Sequence, residues 1–66
     1  MADRLMSYRD VVRETTLSES SVRRLIREGR FPRPRPLLPG RVVWRAADVA
    51  AAVERLLADA SAPAAR

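Results

Sequence analysis

Thirteen of the 66 residues are arginine, and lysine, histidine and cysteine are all absent. Guanidinium keeps its proton at any ordinary pH, so these side chains are poor bases. Instead they present planar donor forks that match phosphate oxygens and the O6/N7 edge of guanine. Acid–base work would fall to carboxylates, Tyr8 or serines, and the spacing of the acids suggests no working pair. Only Gly29 and Gly40 exist, too few for a glycine-rich phosphate loop. Without cysteine or histidine there are no disulfides and no ordinary zinc ligands. The expectation is a protein that is not an enzyme and uses no cofactor and no metal.

The arginines are unevenly spread along the chain. Residues 1–17 balance Arg4, Arg9 and Arg13 against Asp3, Asp10 and Glu14. Residues 18–30 carry four arginines against Glu19 and Glu28, and residues 31–45 carry Arg33, Arg35, Arg41 and Arg45 with no acid at all. Residues 46–66 are slightly acidic. The whole net charge of +5 therefore sits in the middle of the chain, as a footprint for a polyanion would.

Short elements must position this charge. Ser7 with Asp10 three residues later forms a capping-box pattern, and Tyr8, Val11 and Val12 follow at helical spacing. The β-branched pair Thr15-Thr16 ends that helix. Ser18 caps a second helix that runs through Glu28 and stops at Gly29, with Leu17 and Val22 as a hydrophobic staple. Val22, Leu25 and Ile26 form its apolar stripe. Opposite lie Ser20, Arg24 and Arg27, with Arg23 on the flank.

From Phe31 the texture changes. Pro32, Pro34 and Pro36 share one parity, which suits an edge strand whose other edge stays free to pair. Leu38-Pro39-Gly40 predicts a turn and Arg41–Trp44 the return strand, with Val42 and Trp44 facing the core and Val43 outward. A third helix is expected over about Ala46–Ala58, packing through Val49, Val53, Leu56 and Leu57. The order helix, turn, helix, hairpin, helix predicts a mainly α domain with a small β-hairpin, a winged helix-turn-helix over residues 1–58. Residues 59–66 are expected to be a flexible tail. No apolar run is long enough to span a bilayer and no secretory signal is visible, so a cytoplasmic, nucleoid-associated protein is expected.

A recognition helix needs short polar residues near its start and arginines that reach bases or phosphates. Ser20, Ser21, Arg23, Arg24 and Arg27 meet that need, and the wing adds Arg33, Arg35 and Arg41 for phosphates or the minor groove. The plainer alternatives are a solvated helix face and an edge strand protected by charge and proline. The acid-free wing, joined to a helix-turn-helix, weighs for nucleic acid. Arg45 falls at the start of the third helix, outside this set. Pro36-Leu37-Leu38-Pro39 also has the look of a polyproline ligand, but such motifs sit in disordered segments, not before a strand and a helix. Trp44 can stack on a base, though a lone tryptophan in a small hairpin belongs in the core.

The run Thr15-Thr16-Leu17-Ser18-Glu19-Ser20-Ser21-Val22-Arg23-Arg24-Leu25-Ile26-Arg27-Glu28-Gly29-Arg30-Phe31-Pro32, followed by Val43-Trp44-Arg45-Ala46-Ala47-Asp48-Val49, resembles the AlpA-like prophage regulators and excisionases. The resemblance covers roughly residues 5–57 and implies a MerR-superfamily winged helix-turn-helix. It implies that Ser20, Ser21, Arg23, Arg24 and Arg27 face the major groove and that the wing contacts an adjacent minor groove. Members act as recombination directionality factors that bend attachment-site DNA for integrase, or as regulators of prophage genes. Thr16 replaces a usual turn glycine, Glu19 a frequent basic residue, and Arg23 a common aromatic.

The function expected is that of a phage or prophage excisionase binding double-stranded DNA. Its implied partners are a phage integrase and head-to-tail copies of the chain bound cooperatively. A small transcription regulator is the alternative on the same fold, and a protein-interaction adaptor or antitoxin-like inhibitor the alternative of another class.

Overall fold

The computed structural model describes residues 4–60. Its elements run β1 (Leu5–Met6), α1 (Tyr8–Thr15), α2 (Glu19–Arg27), β2 (Arg35–Leu38), β3 (Arg41–Arg45) and α3 (Ala46–Ala60). Three helices and a three-stranded antiparallel sheet make a mainly α fold with a β-hairpin, an arrangement compatible with a winged helix-turn-helix.

The first helix starts where its polar pattern demands. Ser7 Oγ accepts from the Asp10 backbone N–H at 3.2 Å, and Asp10 Oδ2 accepts from the Ser7 backbone N–H at 3.0 Å, so two orphan donors are satisfied reciprocally. Asp10 is held below the usual carboxylate value, chiefly by the Ser7 backbone hydrogen bond, with smaller help from the Ser7 hydroxyl, Arg13 and Arg4 against partial desolvation. The helix ends in a left-handed residue, Thr16 at φ 64°, whose N–H donates to Val12 O at 2.9 Å. The turn to α2 is therefore only Thr16-Leu17-Ser18, and a β-branched residue takes the backbone conformation that glycine adopts without strain.

Ser18 caps α2, its Oγ accepting from the Ser21 N–H at 3.1 Å. At the other end, Arg30 N–H donates to Leu25 O and Gly29 N–H to Ile26 O, with Gly29 at φ 75°. These two bonds are those of a Schellman motif, for which the glycine supplies the left-handed residue.

The sheet has the order β1-β3-β2, so β2 is an edge strand as its prolines suggest. Only Pro36 lies inside it, because the strand begins at Arg35 rather than at Phe31. Pro36 pairs with Val42 and Leu38 with Arg41, which makes Leu37 the extra residue of a bulge. Pro39-Gly40 closes the hairpin, Gly40 at φ 77° supplying the positive φ such a turn needs at its second central position. The third strand, β1, was not expected. It pairs Leu5 with Arg45 and Met6 with Trp44, and the Ala46 N–H donates to Arg4 O at 2.7 Å.

The core joins Met6, Val11, Val22, Leu25, Phe31, Trp44, Val49 and Ala52. Trp44 stands at its centre, 2% exposed, its Nε1 donating to Pro32 O at 2.7 Å. Tyr8 and Phe31 meet it edge-on, with ring centroids 4.7 and 6.0 Å away.

Two packing expectations are corrected. Val42 shares a face with Trp44 but remains 37% exposed, while Val43 is 9% exposed. Val42 lies one pleat nearer the hairpin turn than Trp44 and lines an open depression; Val43 pairs with Arg35 and adjoins the stretch of β3 that β1 also covers. Leu57 is 56% exposed instead of packing beside Val53 and Leu56. A 15-residue helix of about 22 Å outruns two helices of 8 and 9 residues, leaving the last turn little apolar surface to cover. The helix continues to Ala60, and the remainder of the expected tail, 61–66, lies outside the described residues.

Candidate nucleic-acid interface

Burying Val22 and Leu25 turns the opposite side of α2 outward, so Ser20, Arg23, Arg24 and Arg27 are all exposed. Arg23 and Arg27, one turn apart, line a shallow depression with Tyr8, Ile26, Arg33 and Pro34. Cations from the second helix and from the segment leading into the wing thus share one surface. A neighbouring depression is lined by Ser7, Tyr8, Arg9, Gly40, Arg41 and Val42, joining the start of α1 to the tip of the hairpin. Tyr8 borders both.

Ion pairing sorts the arginines into two groups. Arg4 lies 3.9 Å from Glu14, Arg13 3.8 Å from Asp10, and Arg24 3.9 Å from Glu28. Arg30 reaches Asp59 at 3.3 Å and Glu28 at 3.9 Å, tying the loop after α2 to α3. Arg23 donates from Nη2 to Glu19 Oε2 at 2.6 Å, with its Cζ 4.8 Å from the Tyr8 ring centroid. The Glu19 hydrogen bond, then Tyr8, holds Arg23 further into its charged form against a small desolvation effect. Among the described residues, Arg9, Arg27, Arg33, Arg35, Arg41, Arg45 and Arg55 have no such partner, and of these Arg35, Arg45 and Arg55 line neither depression. In aqueous surroundings a guanidinium without a carboxylate is the one that gains most from meeting a phosphate.

The eight residues singled out by sequence do not all converge. Arg23, Arg27 and Arg33 come together, and Arg41 joins Arg9. Arg24, opposite the apolar stripe and about 100° around from Arg23, does not line either depression and lies beside Glu28. Arg35 pairs with Val43 at the exposed start of the edge strand. Ser20 is exposed and without a hydrogen-bond partner among the described residues, whereas Ser21 is half-buried and its Oγ accepts from the Ser18 hydroxyl at 3.0 Å. Arg45 is the last residue of β3, before α3, away from both depressions.

Arg9 and Tyr8 escaped the sequence reading. Counting charge by segment cancels Arg9 against Asp10, yet Asp10 is committed to the Ser7 cap and to Arg13. The capping box was itself the available signal, since an acid used in a cap neutralises its neighbour poorly. Tyr8 shares the helical spacing of Val11 and Val12, which gives no sign of a surface role. It packs on Trp44 while carrying Arg23 on its ring.

No curated protein and no solved structure matches the chain. A family model does, over residues 4–57, and it is described as Prophage CP4-57 regulatory protein (AlpA). The match takes in β1, both short helices, the hairpin and α3 as far as Leu57, and on that extent the chain belongs to the AlpA family of prophage regulatory proteins.

Proposed function

We propose that the chain is a small DNA-binding regulatory protein that sets α2 in the major groove of duplex DNA and its hairpin wing along the adjacent minor groove. The observation that carries this reading is the depression where Arg23 and Arg27 of α2 meet Arg33 of the wing segment. Glu19 pairs with Arg23 of this cluster, whereas Asp10 is taken up in a cap and Glu28 and Asp59 by Arg24 and Arg30, so Arg27 and Arg33 face no carboxylate. Membership in a prophage regulatory family supports the same reading. Ser20 then approaches base edges, Arg24 and Arg27 reach guanine or phosphate, Ser21 steadies the helix start, and Arg33, Arg35 and Arg41 follow the backbone.

The finer role we propose is that of an excisionase, loading as neighbouring copies on attachment-site DNA and bending it for a phage integrase. A second reading, a transcription regulator, is favoured by the description of the family as regulatory. Two assays on one preparation separate them: integrase-driven excision of attachment-site DNA, and a reporter driven by the adjacent prophage promoter. Stimulated excision supports the first role; altered promoter output with excision unchanged rejects it in favour of the second. Failure to retain any duplex in a low-salt gel shift would reject both and leave the adaptor or antitoxin-like reading.

A further inference from the structure

Glu19 is the only acid in the first two turns of α2, the end of a recognition helix that meets base edges. A carboxylate there suits the positive end of the helix and the i,i+4 pair with Arg23, but in a groove it also repels phosphate unless it meets a donor. It is also held in place. Its Oε2 accepts from Arg23 Nη2 at 2.6 Å, the Arg23 guanidinium lies 4.8 Å from the Tyr8 ring centroid, and Tyr8 packs edge-on against the buried Trp44 at 4.7 Å. The core thereby reaches the helix surface through three successive contacts. The other oxygen, Oε1, has no hydrogen-bond partner among the described residues.

An ionised carboxylate only accepts hydrogen bonds, so the base it reads must offer a donor. In the major groove the donors are cytosine N4 and adenine N6, and the adenine amine sits beside the N7 acceptor, whose lone pair opposes a second carboxylate oxygen. Cytosine is the better match.

Resting on the DNA-binding reading, we propose that Glu19 is a specificity-determining residue whose free oxygen accepts a hydrogen bond from the cytosine N4 amine of one base pair. Arg23 acts here as a positioning residue, orienting the carboxylate from the Tyr8 ring and offsetting its repulsion toward the backbone. Glu19 and Arg23 therefore work as one unit on one base pair.

The test is selection from a pool of random-core duplexes by the full chain and by Glu19→Ala, Arg23→Ala, the double variant and Glu19→Gln, with the bound duplexes sequenced. The wild type should fix one C·G pair that relaxes about tenfold in each alanine variant. The double variant should lose no more than either single one. Glu19→Gln should shift that position toward A·T, because an amide pairs with adenine N6/N7, a gain that misfolding does not mimic. The proposal is overturned if Glu19→Ala keeps the motif and binds every duplex more tightly. It is overturned equally if Arg23→Ala weakens all sequences alike with the C·G pair retained. A wild type that retains no duplex would remove the DNA-binding reading itself, recognisable because no motif would exist to compare.

Discussion

Raising salt from about 50 to about 200 mM should weaken duplex binding by this chain about 500-fold. The figure follows from the sorting of its arginines. Of the arginines with no carboxylate partner among the described residues, Arg45 and Arg55 lie at the end of β3 and on α3, while the other five, Arg9, Arg27, Arg33, Arg35 and Arg41, belong to the start of α1, the outer side of α2 and the wing. If each of these five neutralises one phosphate, the log–log slope of affinity against salt is about −4.5. Arg23 and Arg24 add less, since gripping a phosphate means releasing Glu19 or Glu28. Fluorescence anisotropy of a labelled duplex across a salt series measures the slope directly. Arg35→Ala should make it shallower by about 0.9 and weaken all sequences similarly, whereas Arg30→Ala, already bound to Asp59 and Glu28, should leave it unchanged. A wild-type slope shallower than about −2, or equal changes in the two variants, would refute the assignment.

Thr16→Gly relieves about 1–2 kcal/mol of left-handed strain and returns about 0.5–1 kcal/mol to chain entropy, for a net gain of about 0.5–1 kcal/mol. Calorimetry should show Tm rising by about 4–7 °C, and an unchanged or lower Tm would mean the strain is not there. Asp10→Asn tests the capping box through pH. The native carboxyl is held below its ordinary value of 3.8, so the unfolded chain takes up the proton first. Its contribution is complete above that ordinary value and drains away as pH falls through the lower, folded one. The Tm gap between wild type and Asp10→Asn should accordingly be widest near neutrality and close at strongly acidic pH; a gap that persists there contradicts the cause assigned. Trp44→Phe deletes the donor to Pro32 O and part of the central indole, and should cost about 2–3 kcal/mol in urea denaturation. A loss under about 1 kcal/mol would show that the hydrogen bond matters little.

What the sequence reveals of this fold is what local chemistry dictates. Ser7 and Asp10, Ser18, Gly29 and the Pro39-Gly40 turn each announce a boundary, because their side chains or their conformational freedom act within a few residues. The two-residue β1 carries no period to detect and exists only because β3 has an edge to pair. Val43 and Leu57 failed for a related reason: alternation and helical spacing give a face, while what covers that face depends on the lengths of other elements. The site divides in the same way. The outward side of α2 follows from its apolar stripe, but only the packed Tyr8 explains why Arg23 and Arg9 stand near Arg33 and Arg41. Arg24 and Ser21 look equivalent to their neighbours in sequence and differ through partners three or four residues away.

Trp44 is the sole tryptophan and is walled in by Tyr8, Phe31 and the Pro32 carbonyl. The chain therefore carries an intrinsic optical gauge of its interior, with emission that should be blue-shifted and shielded from acrylamide. Ligands that touch only guanidinium groups remote from Tyr8, such as that of Arg35, should leave that emission unmoved. A spectral change on titration with such a ligand would accordingly signal a reshaped interior, not mere contact.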